Sequence, residues 1–307
     1  MQYAEIIKYA WDKTLKRKKL IFFAFVPTVF SIVIFIYEVL WQYSWVSEEF
    51  DIVKDGTTWN IIKNIVQKIV ASGFMGLGVA LLILLIVFGF VLPPLIRATL
   101  IESAKHDNIA TESSWSLRQK IHAGGSHFFS LFELFALLKP FEFMTISFFV
   151  VTLFRYFHGD IFNFIFPFII VYSFFAILLN LFFSFSPFYI VCDGESVSSA
   201  FKKSFGLVFV NFGKTLGLFL VSFLINFNVL LNIFLIFAIP FGIIALAGTF
   251  ASALIMHYIV VIVGIGSLIL LWVASYFISL MIVFYSHFWT KAFFELKNIQ
   301  ADLESLN

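Results

Sequence analysis

Polar side chains inside long apolar stretches are where chemistry would have to sit in this chain. Asn226, Asn228 and Asn232 fall within one such stretch and Asn180 within another. A carboxamide carries both donors and an acceptor, so these four could line a polar path for a small solute or a lipid. They could also hydrogen-bond one helix to the next. The absence of an acidic residue at mid-stretch favours bonding over proton-coupled transport. Arg155, His158 and Asp160 mark the end of a further stretch, where an interfacial ion pair is expected. The second set is basic: Lys16, Arg17, Lys18 and Lys19 in a row, then Lys202, Lys203 and Lys214. Each Lys or Arg close to an anionic leaflet contributes about 1 kcal/mol of attraction. These residues are the candidate contacts to acidic lipid headgroups.

Catalytic chemistry has few candidates. His122 and His127 lie five apart in a glycine-containing segment with no evident third ligand, so no metal is expected. No His-Glu-x-x-His, Walker A, dinucleotide fingerprint or Gly-x-Ser-x-Gly occurs. Gly73, Gly76 and Gly78 sit in an apolar stretch and suit helix packing. The single Cys192 excludes an intrachain disulfide and a cysteine-rich metal site. The chain therefore reads as non-enzymatic, with no catalytic residue and no cofactor.

The elements that carry these residues are set by hydropathy. Hydrophobic residues make up 61% of the 307 and charged residues 12%, with a mean hydropathy of +1.00. A soluble domain has about 45–50% and about 25%. Runs of about 20 apolar residues match the hydrocarbon core of a bilayer, and only a helix satisfies its own backbone there. The expectation is an all-α polytopic membrane protein with about six transmembrane helices. The spans are Leu20–Trp41, Val70–Leu92, Phe141–Phe157, Ile161–Val191, Leu216–Ala238 (ended by Pro240) and one within Ile259–Trp289. Phe241–Tyr258 is apolar and carries small residues at helical spacing. It spans, re-enters or lies at the interface; full spanning, with a break at Gly264-Ile265-Gly266, would give seven helices. No stretch between spans exceeds about 45 residues, short of an ordinary catalytic domain. The 45 phenylalanines are spread over every span, as lipid-facing residues would be.

Orientation follows from charge. With the N-terminus in the cytoplasm, sixteen of the twenty Lys and Arg fall on the inner side, as the positive-inside rule requires. Lys291 and Lys297 place the C-terminus inside as well. The run after Lys16-Arg17-Lys18-Lys19 is too long for a signal-peptide h-region and lacks a cleavage site, so it reads as a first transmembrane helix.

The inner segments share a form. Tyr3, Ile7, Trp11 and Leu15 make one helical stripe, with Glu5, Lys8, Asp12 and Lys16 on the other side. Val197, Ala200, Phe201, Ser204, Phe205, Val208 and Phe209 make a second, with Ser198, Ser199, Lys202 and Lys203 opposite. Asp193-Gly194-Glu195-Ser196 supplies a turn and a capping side chain before it. Trp115, Leu117, Ile121 and Phe128 form a weaker stripe interrupted by Gly124-Gly125. The chain thus reads as a single membrane domain of three units, about 1–100, 101–195 and 196–295, with a tail at 296–307. Each unit is a cytoplasmic interfacial amphipathic helix followed by a transmembrane hairpin. Pro93-Pro94 and Pro187 close the first two hairpins.

Ser186-Pro187-Phe188-Tyr189-Ile190-Val191, Asp193-Gly194-Glu195-Ser196, Ala200-Phe201-Lys202-Lys203-Ser204-Phe205 and Asn211-Phe212-Gly213-Lys214 together form a recognisable pattern. It resembles the membrane domain of glycerophosphoryl diester phosphodiesterases and of related bacterial and archaeal polytopic membrane families. Phe284-Tyr285-Ser286-His287-Phe288-Trp289-Thr290-Lys291 resembles the aromatic and basic end of those domains. The match covers about 35 residues. Phe205 stands where the family pattern has Trp, and no phosphodiesterase domain is present. The resemblance implies a fold and a membrane setting without hydrolase activity. The expected role is to bind or organise lipid, or to assist a protein partner, in the cytoplasmic membrane. The alternative is a transporter for a small solute or lipid. The partners are anionic headgroups on the cytoplasmic face. Nucleic acid is not expected, because the basic residues border the membrane.

Overall fold

The computed structural model describes residues 2–49, 83, 87–109, 115–156, 160–250 and 253–304. Among them every regular element is helical. In chain order these are α1 (Tyr3–Lys16), α2 (Lys18–Glu49), a π turn (Val87–Val91), α3 (Leu92–Ile109), α4 (Leu117–Gly125) and α5 (Phe128–Leu138). There follow a 3₁₀ turn (Lys139–Phe141), α6 (Phe143–Tyr156), α7 (Asp160–Phe182), α8 (Ser186–Asp193), α9 (Val197–Val210), α10 (Phe212–Phe250) and α11 (Ala253–Glu304). Five stretches are long and apolar enough to cross a membrane: Val87–Ile109, Phe128–Leu153, Phe164–Asp193, Phe212–Leu235 and Ile265–Ala301. Their outward surfaces fit that role. Phe164, Phe168, Val171, Phe174 and Ile177 of α7 are all more than 60% exposed, and water would not tolerate so continuous an apolar face. Most of the expected span Val70–Leu92 lies outside the described residues, as do Gly73, Gly76, Gly78 and His158. The side chains of Arg155, Asp160 and Asn163 do too.

The chain packs as two compact units. One joins both ends of the chain, Met1–Val29 with Val210–Asn307; the other is Phe30–Phe209. In the first, α1 lies along α11, and α10 pairs with α11. Ile6, Ala10 and Thr14 of α1 are fully buried, as are Phe288, Ala292, Phe293 and Leu296 of α11. Trp11 meets Phe284 edge-on at 5.8 Å. The ammonium groups of Lys13 and Lys291 lie 5.7 and 5.5 Å from the centroid of the Tyr9 ring. The expected stripe Tyr3–Ile7–Trp11–Leu15 is therefore not the buried face. The protein-facing row is one residue earlier, and Trp11 and Leu15 stay exposed beside it. At the other end of α1 the Tyr3 hydroxyl donates to the Lys214 carbonyl at 3.3 Å. Gly217 makes room for it, since a Cβ there would lie 2.3 Å from that oxygen.

The break expected at Pro240 is absent, as is the one that a seventh span would need at Gly264-Ile265-Gly266. α10 continues through Pro240 to Phe250, and α11 runs unbroken through Gly264-Ile265-Gly266. Phe241–Tyr258 thus divides between the end of α10 and the start of α11. Proline and glycine break helices partly because water competes for the freed backbone groups, and apolar surroundings remove that competitor. At 39 and 52 residues, α10 and α11 measure about 58 and 78 Å, well beyond a hydrocarbon core of about 30 Å.

In the second unit α3 is the hub. It packs against α4, α5 and α8, while α6 and α7 meet at the 3₁₀ turn. Gly194 ends α8 in the left-handed conformation at φ 71°, as the expected turn requires. Ser196 then accepts a long 3.5 Å bond from the Ser199 amide at the start of α9. The buried row of α9 is Val197, Ala200, Ser204, Leu207 and Val208.

Candidate functional site

Two features of the second unit gather polar groups. The first is a joint between α3 and α4. A capping box opens α4: Ser116 accepts from the Gln119 amide, and Gln119 accepts from the Ser116 amide at 2.8 Å. That orientation sends Lys120 inward, where it is 3% exposed and its Nζ donates to Ser103 Oγ at 2.8 Å. Glu102 and Asp107 of α3 are also buried. Lys105 bridges Glu102 at 3.4 Å and reaches the Val191 carbonyl of α8 at 3.5 Å. One turn on, Gly124 crosses Thr99 so closely that a Cβ would meet the Thr99 amide nitrogen at 2.6 Å. Trp115 covers the end of α3 by packing on His106, 4.0 Å between ring centroids. Sequence periodicity put Ile121 on the important face and missed Lys120. The signal available was the Ser-x-x-Gln box, which fixes the rotation of the first turn.

His127, before α5, is the titrating member of this neighbourhood. Burial holds its imidazole below the ordinary 6.5, Glu102 pulls upward and Lys105 pushes downward. The folded state then binds fewer protons than the unfolded one near that value. Stability from this group is present above about pH 6.5 and is lost as pH falls through it. Thermal stability of the wild type is expected to fall between pH 7 and pH 5.5, and His127→Gln to flatten that slope; equal slopes in both proteins would contradict the assignment. Among the described residues no three His, Cys, Asp or Glu side chains converge as metal ligands. The joint's geometry is that of a polar fastening.

The second feature is an open groove of about 470 Å³ lined by Gly89, Pro93, Pro94, Arg97, Phe132, Phe135, Ala136, Lys139 and Glu142. Its floor follows from Pro93-Pro94. Neither proline offers an amide to the carbonyls four residues earlier, those of Gly89 and Phe90. The helix widens there into the π turn Val87–Val91. Gly89 keeps the floor low, with only Ile34 Cδ1 at 3.8 Å from where its Cβ would be. Arg97 lies one turn past Pro93 and is exposed, its guanidinium 5.0 Å from the centroid of the Phe135 ring. Lys139 and Glu142 close the other end with a 2.7 Å ion pair.

Matched against protein-family models, curated proteins and solved structures, the chain finds no counterpart. Its site is therefore described by geometry alone.

The sequence-derived candidates distribute as follows. Lys16, Lys18 and Lys19 are exposed, Arg17 is half-buried at the junction of α1 and α2, and Lys214 is half-buried near the start of α10. Lys202 is exposed, and Lys203 pairs with Glu195. Asn180 donates to the carbonyls of Phe141 and Ala176, each at 2.9 Å. The Tyr172 hydroxyl donates to the Pro140 carbonyl at 2.9 Å. These two bonds satisfy backbone groups that the 3₁₀ turn releases. Asn226, Asn228 and Asn232 are exposed on α10. Asn232 donates to the Asn228 carbonyl at 2.7 Å and to its side chain at 3.0 Å; Asn226 is two residues from Asn228 and so points about 200° away. Arg97, Glu142 and Lys120 are the residues that sequence reading left out of any site.

Proposed function

We propose that this chain is a multi-pass protein of the cytoplasmic membrane that binds and organises anionic lipid at the inner interface, without catalysing a reaction. In this reading both termini are cytoplasmic, and α1 and α9 are the interfacial helices that lead into membrane hairpins. The observation that carries it is the surface of α9. One side is buried in its own unit. On the outward side Phe205 and Phe209 are 46% and 68% exposed. Lys202, three and seven residues away, projects from the same sector. Phe205 also stacks on Phe182 of α7 at 4.7 Å, which continues the aromatic surface. A side that is apolar at one edge and cationic at the other suits the boundary between acyl chains and headgroups. The resemblance of residues 186–214 to phosphodiesterase membrane domains supports a membrane setting and brings no hydrolase chemistry with it.

The test is lipid selectivity in reconstituted bilayers. Spin-labelled phosphatidylglycerol is expected to be enriched over spin-labelled phosphatidylcholine in the motionally restricted shell around the protein. Lys203 is held by Glu195, so the double variant K202Q/K203Q should lose the contribution of Lys202, about 1 kcal/mol, and reduce that preference by about fivefold. An unchanged ratio in a folded double variant would remove α9 from the account.

A further inference from the structure

The groove beneath Pro93-Pro94 has a charge balance that the described residues do not complete. Arg97 lies inside a stretch that is apolar enough to cross a membrane. A guanidinium at such depth needs an anion or water. Among the described residues the groove holds one carboxylate, Glu142, and that carboxylate is already bonded to Lys139 at 2.7 Å. Among the described residues Arg97 makes no ion pair; its contact is the face of Phe135. Among the described residues, Arg97 and Lys139 against Glu142 leave the lining with one net positive charge. The rest of it is apolar: Phe132, Phe135 and Ala136 from α5, and the two prolines. The π turn is an independent sign, since such widened turns recur at functional sites.

We infer that this groove is a binding site for one anionic phospholipid, with the phosphodiester on Arg97 and an acyl chain against Phe132, Phe135 and Ala136. A phosphodiester carries one negative charge and two free oxygens, which match the fork of an arginine. The planar guanidinium already rests on Phe135, so little freedom is lost when it engages. The flanking cavity of about 640 Å³ between α6 and α7 is lined by Thr145, Phe149, Leu153, Phe168 and other mainly apolar side chains. Among the described residues it offers no cation, and it is not part of the assignment. This inference rests on the lipid-binding reading above and locates it at residues distinct from α9.

The experiment uses the full chain in mild detergent, with native mass spectrometry during titration of phosphatidylglycerol or phosphatidylcholine of identical acyl chains. The wild type is expected to take its first phosphatidylglycerol about tenfold more tightly than phosphatidylcholine. R97Q should bring the ratio close to one, and R97K should restore part of it. A136W fills the groove and should weaken both lipids. Glycerol 3-phosphate should fail to displace the lipid; displacement would make free phosphate the ligand and overturn the lipid assignment. A folded R97Q that keeps the full preference also overturns it. Should R97Q not fold, A136W decides: undiminished first-lipid binding in that variant excludes the groove. If R97Q leaves the preference intact and K202Q/K203Q removes it, this site fails and the general reading stands. If the wild type shows no preference at all, both fail.

Discussion

Replacing Gly124 with alanine is expected to destabilise the second unit by about 2–3 kcal/mol, the range for overpacking against something that cannot move. The obstacle is backbone: the added methyl would sit 2.6 Å from the Thr99 nitrogen and 2.7 Å from its Cα. Thr99 is itself fully buried, and its hydroxyl bonds the Leu95 carbonyl at 2.8 Å, so α3 cannot yield locally. The helices must separate, which also pulls Lys120 away from Ser103. By the usual conversion this lowers the midpoint of thermal unfolding in detergent by about 4–12 °C. Gly206 of α9 is the control. Nothing lies within 4 Å of its would-be Cβ, so alanine there should be neutral or stabilising by up to about 1 kcal/mol. Equal behaviour of the two variants would show that the α3–α4 crossing is not as close as described.

The second large effect is expected at Phe288. Its side chain is fully buried in the first unit, with Phe284, Tyr285 and Trp289 rings at 5.9, 6.4 and 5.5 Å. Truncation to alanine should cost about 3–5 kcal/mol, most of it as lost packing contacts around a cavity the helices cannot close. Because α1 lies along this part of α11, the variant should also release α1. Trypsin would then cut at Lys13, Lys16 or Arg17 under conditions that leave the wild type intact. Phe277→Ala, on the same helix at 51% exposure, should change neither readout appreciably. Tryptic resistance of Phe288→Ala equal to that of the wild type would contradict the packing of α1 on α11.

Much of the helical layout was legible because apolar run length and turn chemistry are local signals. Gly194 takes the left-handed conformation that an Asp-Gly turn announces, whereas Pro93-Pro94 and Pro187, expected to close hairpins, stand in the first turns of α3 and α8. What periodicity could not supply was rotation and closure. α1 has two apolar rows one residue apart, and only contact with α11 shows that Ile6 and Ala10 are buried while Trp11, at the edge against Phe284, and Leu15 stay exposed. The first unit joins residues 1–29 to 210–307, a pairing no local pattern encodes. Pro240 reads as a span end, and Gly264-Ile265-Gly266 as the break a seventh span would need, from propensities that hold in water. At the candidate site the loss was of another kind. Arg97 was counted as one more inner-side charge, although its position one turn after a double proline, with Glu142 committed to Lys139, is what sets it apart.

The most direct test of lipid binding is native mass spectrometry of the full chain extracted in mild detergent with the lipids it carries. The account predicts a retained anionic phospholipid at about one per chain, still bound after neutral lipids have been stripped by activation. Retention of neutral lipid alone, or a folded chain that emerges free of lipid, would contradict it.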